Sequence, residues 1–134
     1  MTPAALNLVV LRCSDMARAA DFYSRLGLQF VQHRHGNGLE HFSADAGECV
    51  FELYPRTAGG PSTEGARIGF RVASLEAAAA AFHDFPDAIL SPPADSPWGR
   101  RAVIADPDGH RVELIQQHLP PLSSADPISE TRIH

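Results

Sequence analysis

A glutamate set inside an apolar, strand-like run occurs twice in this chain, as Val50-Phe51-Glu52-Leu53-Tyr54 and as Arg111-Val112-Glu113-Leu114-Ile115. The segments upstream repeat as well. Leu8 to Cys13 reads as a strand, Ser14 or Asp15 as a helix cap, and Met16 to Leu26 as a helix closed by Gly27. Arg67 to Ala73, Ser74 and the alanine-rich stretch from Leu75 to His83 follow the same plan, and Pro86 stops the second helix. Arg12 matches Arg71 at an offset of 59, and Glu52 matches Glu113 at an offset of 61. A self-match of this length confines the chain to folds built from two copies of one supersecondary unit.

Between helix and glutamate strand each copy carries two more strands. In the first copy Leu28 to Arg34 and Leu39 to Ala44 flank a Gly36-Asn37-Gly38 turn, and Asp45-Ala46-Gly47 turns into the glutamate strand. In the second, Ala88 to Leu90 reads as a short strand, Ser91 to Gly99 as a proline-rich loop, and Arg101 to Ala105 as a strand. Asp106-Pro107-Asp108-Gly109 then makes a tight turn into the strand His110 to Gln117. Each copy is thus βαβββ and the class is α+β. Module one is expected over 6–56, a linker over 57–65 and module two over 66–118, forming one domain over 1–118. The segment 119–134 lacks periodicity and reads as a surface tail.

This pattern resembles the vicinal oxygen chelate superfamily, the group of glyoxalase, bleomycin-resistance and extradiol dioxygenase proteins. The resemblance rests on Asp15, Phe22-Tyr23 with Leu26-Gly27-Leu28, the strand around Glu52, and Asp106-Pro107-Asp108-Gly109 leading to Val112-Glu113-Leu114. It implies two βαβββ modules whose mixed sheet cups a cavity. In many members it also implies a metal held from four strand positions, here Leu8, Glu52, Arg67 and Glu113. The two glutamates suit a metal. Leucine and guanidinium have no lone pair to donate, so the expectation is a cavity without a metal in the standard site.

Strand alternation sorts the remaining candidates. Phe51 and Leu53 face the helix, so Glu52 and Tyr54 face the cavity; Val112 and Leu114 face the helix, so Arg111, Glu113 and Ile115 face the cavity. For the opening strands the resemblance sets the phase, with Leu8, Val10 and Arg12 inward, and Arg67, Gly69 and Arg71 likewise. Buried charges need partners, so Arg67 is expected to stand where the metal would be and to pair with Glu52, Glu113 or both. Glu52 and Glu113 are then the candidate catalytic groups. Arg12, Arg67, Arg71, Tyr54 and Trp98 are candidate ligand contacts, with Trp98 as a pocket lid or a packing residue. A second reading uses histidine: His33, His35 and His41 fall on Glu52's face, and His35 or His41 with Glu52 and Glu113 would offer nitrogen and oxygen ligands to a divalent metal. Tyr23 reads as core, and His110 as structural or exposed. Cys13 and Cys49 sit at opposite ends of their strands, too far apart for a disulfide.

Composition narrows the function classes. Lys+Arg 11 against Asp+Glu 16 gives a net charge of −5, a poor starting point for binding nucleic acid or an anionic membrane. No apolar run approaches the ~18 residues of a membrane span, and Met1 to Leu6 lacks the basic start of a signal peptide. The expectation is a cytoplasmic homodimer with a small-molecule partner. Three functions are compatible: a binding or modifying protein for a small polar or anionic molecule; a metal-dependent lyase, isomerase or dioxygenase; and a non-catalytic, drug-sequestering protein of the resistance type. No nucleotide fingerprint, phosphate loop or catalytic triad motif is present in the sequence.

Overall fold

The computed structural model describes residues 1–34 and 36–117. Module one contains β1 (Leu8–Cys13), α1 (Met16–Ser24), β2 (Val31–His33), β3 (His41–Ala46) and β4 (Cys49–Pro55). Module two contains β5 (Arg67–Arg71), α2 (Leu75–Ala80), β6 (Ile89–Ser96), β7 (Gly99–Ala105) and β8 (Arg111–Gln116). The two sheets have the same order, β1-β4-β3-β2 and β5-β8-β7-β6. The helical crossover makes β1 parallel to β4 and β5 parallel to β8, while the hairpins make the other pairs antiparallel. Both sheets are therefore mixed, and the α+β pair of βαβββ modules expected from the repeat is the observed architecture.

Local chemistry accounts for the helix starts. Asp15 accepts a hydrogen bond from the Arg18 amide at 3.0 Å, and Ser74 accepts one from the Ala77 amide at 3.2 Å. Each satisfies a donor that the first turn leaves without an intrahelical partner. The helix ends fall earlier than the sequence pattern indicates. α1 ends at Ser24 and α2 at Ala80; tight turns carry the chain onward, so Leu26, Phe82 and Phe85 still reach the core. Gly27 holds φ +92° after α1, as a helix-ending glycine does.

One segment differs more. Ser91 to Gly99 reads as a loop in the sequence, yet Ile89–Ser96 forms β6. Its pairing to β7 shifts register between Ile89 and Ser91 and again between Ser91 and Ala94. β6 is the outer strand of its sheet, where prolines such as Pro92 and Pro93 are tolerated at bulges because a missing N–H breaks few ladder bonds.

The apolar faces of both sheets share one core. Phe22 of α1 meets Phe82 and Phe85 at 4.6 and 5.2 Å between ring centres. Tyr23 meets Phe51, and Phe51 meets Phe70 of the other module at 5.6 Å. Full burial of each such ring is worth roughly 1.5–3 kcal/mol. Arg25 clamps the helix ends together, donating to the Ala81 carbonyl at 2.8 Å and pairing with Asp84. A buried polar chain also joins the modules. The Tyr23 hydroxyl donates to Asp106 Oδ2 at 2.6 Å, and His110 Nδ1 lies 2.7 Å from the same oxygen. His110 Nε2 lies 2.7 Å from Thr63 Oγ1, which accepts the Arg12 amide at 3.0 Å. His110 is thus a buried structural residue, at 2% exposure. Burial and the nearby Asp106 carboxylate push the Tyr23 phenol far above its ordinary pKa.

Candidate functional site

Because the apolar faces share the core, each sheet keeps a polar face turned away from it. On module one the polar face holds a row across the strands. Arg12 pairs with Tyr54 in the β1–β4 register, and His33 with His41 in the β2–β3 register. The Arg12 guanidinium lies 5.0 Å from the Tyr54 ring centre. Tyr54 and His41 stack at 4.4 Å with 4° between their planes, and His33 follows at 5.7 Å. Cation–π and ring stacking of this kind lock rotamers, and His41 is buried by its neighbours at 3% exposure. Glu52, two residues before Tyr54, sets Oε2 3.7 Å from His41 Nε2.

On module two the polar face is dominated by arginine. Arg67 and Arg71 alternate with the core-packed Ile68 and Phe70, Arg111 and Glu113 with Val112 and Leu114, and Arg101 with Ala102 and Ile104. Arg101 is the close partner of Glu113, through Nε at 3.1 Å and also Nη2. Arg67 Nη2 stands 3.9 Å from the same carboxylate, its side chain 65% exposed. Among the described residues, Arg71 and Arg111 have no carboxylate at ion-pair distance.

These positions revise the sequence reading. Glu52 and Glu113 lie on different sheets, and their described partners do not overlap: His41 for one, Arg101 and Arg67 for the other. The single cluster of Glu52, Glu113, Arg12, Arg67 and Arg71 is therefore two groups within one chain. Of the expected partners Arg67 meets Glu113, at that carboxylate's exposed rim, and not both glutamates; Arg101 takes the closer place. Sequence reasoning missed Arg101, although alternation back from Val103, which faces Glu113 across the β7–β8 ladder, points to it. Trp98 sits between β6 and β7 at 73% exposure.

The described residues do not fit a metal in the standard positions. Two of the four standard positions, Leu8 and Arg67, lack donor lone pairs. Among the described residues no group of three or more His, Cys, Asp or Glu is placed to hold an ion. His35, part of the alternative ligand set, lies outside the described residues.

A groove of about 670 Å³ opens beside β5, lined by Val9, Leu28, Phe51, Ile68, Phe70 and Val72. Arg67 and Arg71 are its charged lining residues. Cys49 also lines it, whereas Cys13 is buried, its thiol pushed up to about 12 chiefly by desolvation.

Residues 5–114 match the Glyoxalase/Bleomycin resistance protein/Dioxygenase superfamily, and the chain belongs to that family. No curated protein matches the sequence. Solved structures share the fold at low identity. TnmS3, an antibiotic binding protein from Streptomyces sp. CB03234, is 24% identical with a TM-score of 0.70, over 88% of this chain and 99% of that one. TioX from Micromonospora sp. ML1 is 19% identical with a TM-score of 0.66, over 86% and 100%. Lactoylglutathione lyase from Agrobacterium tumefaciens is 19% identical with a TM-score of 0.65, over 87% and 96%. An antibiotic binding protein and a lyase thus share this backbone, and the reaction is decided by side chains. Among the described residues, no helix is long and apolar enough to cross a membrane.

Proposed function

We propose that this protein binds a small anionic molecule on the polar face of module two, with no metal in the standard position. The observation that carries this reading is Arg67, Arg71, Arg101 and Arg111 on one sheet face with Glu113 among them, in a chain whose net charge is −5. Guanidinium groups match carboxylate, phosphate and sulfonate oxygens with paired N–H donors. Glu113 orients Arg101 and limits the excess positive charge when the site is empty of ligand. Glu113 is the group on this face available for proton transfer to a bound molecule, and Glu52 joins it only from the module-one face of a second copy. The antibiotic-binding role named for TnmS3 favours a binding and sequestering function over turnover.

The working unit in this reading is a cytoplasmic homodimer. Leu8 is 48% exposed on β1, the outer strand of its sheet. A second copy that sets its module-one face opposite Arg67 and Arg71 would bring Arg12 and Tyr54 to the same ligand and cover this apolar edge. Trp98 would then be available as a lid from the neighbouring hairpin.

Calorimetric titration with benzoate and with inorganic phosphate at low ionic strength tests the anion site. A charge-assisted hydrogen bond is worth roughly 1.5–3 kcal/mol, so the double variant Arg67→Gln/Arg71→Gln should weaken binding by at least about tenfold. Glu113→Gln removes the nearest competing carboxylate and should tighten binding several-fold. Equal affinity in wild type and the arginine variant would refute the site. Sedimentation of the wild-type protein as a monomer at all concentrations would remove the dimer.

A further inference from the structure

The anion site and the apolar groove meet at β5, and we infer that the ligand is a lipophilic anion: an aliphatic or aryl body in the groove with an acidic head on Arg67 and Arg71. This rests on the anion-binding reading above and adds the chemistry of the rest of the molecule. β5 is the outer strand of its sheet. The Ala66 carbonyl accepts the Arg111 amide, and the Val72 amide donates to the Ile115 carbonyl. Backbone groups alternate in direction along a strand, so those of Arg67, Gly69 and Arg71 turn away from β8 to the free edge, where these residues line the groove. Their side-chain positions belong to the polar face. One strand edge thus separates an apolar channel from a cationic surface.

Gly69 makes that edge passable. It is exposed, it lies between the two arginines, and it presents no side chain above its ladder partner Glu113. A molecule crossing at Gly69 leaves its apolar part against Phe51, Phe70 and Leu28 and its head beside both guanidinium groups. The groove volume of about 670 Å³ lies within the ~300–1,000 Å³ typical of small-molecule sites. Among the described residues no carboxylate lines it, and the charged side chains that do, Arg67 and Arg71, are both positive. A neutral apolar molecule would leave the arginines unused, and a small hydrophilic anion would leave the groove unused.

Cys49 supplies a probe that needs no catalytic assay. It lines the groove and is the more accessible thiol, since Cys13 is buried and held protonated. The rate of Cys49 alkylation by N-ethylmaleimide is measured on the full-length protein, with dodecanoate below its micelle concentration, dodecanol and benzoate as ligands. Dodecanoate should slow alkylation by about tenfold or more and dodecanol much less; benzoate, lacking a long body, should protect weakly. Ala46→Leu narrows the apolar lining of the groove and should reduce dodecanoate protection while leaving benzoate affinity, set by the arginines, intact. Arg67→Gln/Arg71→Gln should bring dodecanoate down to the level of dodecanol. Equal protection by dodecanol and dodecanoate, or none by either, overturns the inference. So does a Cys49 that is unreactive in the ligand-free dimer, which would make the groove a subunit contact. If benzoate binds through the arginines yet dodecanoate leaves Cys49 exposed, the anion site stands and the groove assignment fails. If dodecanoate protects equally well in the arginine variant, the anion site itself fails.

Discussion

Replacing Tyr23 by phenylalanine removes one oxygen from the centre of the molecule. That hydroxyl is fully buried and donates to Asp106 Oδ2 at 2.6 Å, joining α1 of module one to the turn that precedes β8 in module two. The ring stays, so its packing on Phe22 and Phe51 is kept and no large cavity forms. The Asp106 carboxylate also keeps partners: Oδ1 accepts the Asp108 and His110 amides at 2.9 and 3.0 Å, and Oδ2 faces His110 Nδ1. The cost is therefore that of one hydrogen bond to a charged group, about 1.5–3 kcal/mol, without the extra penalty of an orphaned carboxylate. Urea denaturation monitored by circular dichroism should show a lower midpoint with an unchanged slope. A double-mutant cycle isolates the bond itself. Tyr23→Phe in an Asp106→Asn background should cost clearly less than in the wild type, with a coupling energy of about 1 kcal/mol or more. A loss below about 0.5 kcal/mol for Tyr23→Phe, or zero coupling, would refute the claim that this bond fastens the modules.

Two further outcomes follow from local geometry. Asp84 is held down at about 2, chiefly by the hydrogen bond from Arg25, against an ordinary 3.8. A depressed folded-state value means that its stabilisation is complete above the ordinary value and is lost as pH falls through about 2; Asp84→Asn should therefore flatten the acid limb of the melting curve between these values, and an unchanged limb would count against the Arg25–Asp84 clamp. Gly99 and Gly27 both hold positive φ, at +136° and +92°, but only at Gly99 would an added Cβ collide, 2.5 Å from the Gln116 carbonyl oxygen. Gly27→Ala should cost about 1–2 kcal/mol of backbone strain, and Gly99→Ala distinctly more; equal urea midpoints for the two would show that β7 and β8 part easily at this end.

Much of the fold was legible because it depends on short-range pattern. The repeated glutamate strands, the caps at Asp15 and Ser74, and the alternation of Phe51 and Leu53 with Glu52 and Tyr54 all act within a few residues. β6 was hidden because its prolines read as a loop, and only its outer position with two register shifts makes them compatible with a strand. The candidate site was legible residue by residue but not as an assembly. Arg101 escaped notice because its partner is twelve residues away across a hairpin, and the ladder register decides which arginine faces Glu113. The stack of Arg12, Tyr54, His41 and His33 combines four strands and needs the register of every pair between them.

What the sequence determined by itself is the number of modules, the order of elements and the face on which each strand residue falls, since a period of two along a strand is a local property. Which faces meet was left to the tertiary structure. Burial of Phe22, Tyr23, Phe51 and Phe82 in one shared core, with Phe70 packed against it, turns both apolar faces inward and leaves both polar faces outward. That packing places Glu52 with His41 and Glu113 with Arg101 and Arg67, on separate sheets, where the sequence alone implied a single charged cavity. The reason is that apolar area removed from water governs how sheets pack, while a charged side chain takes whatever partner that packing brings within reach.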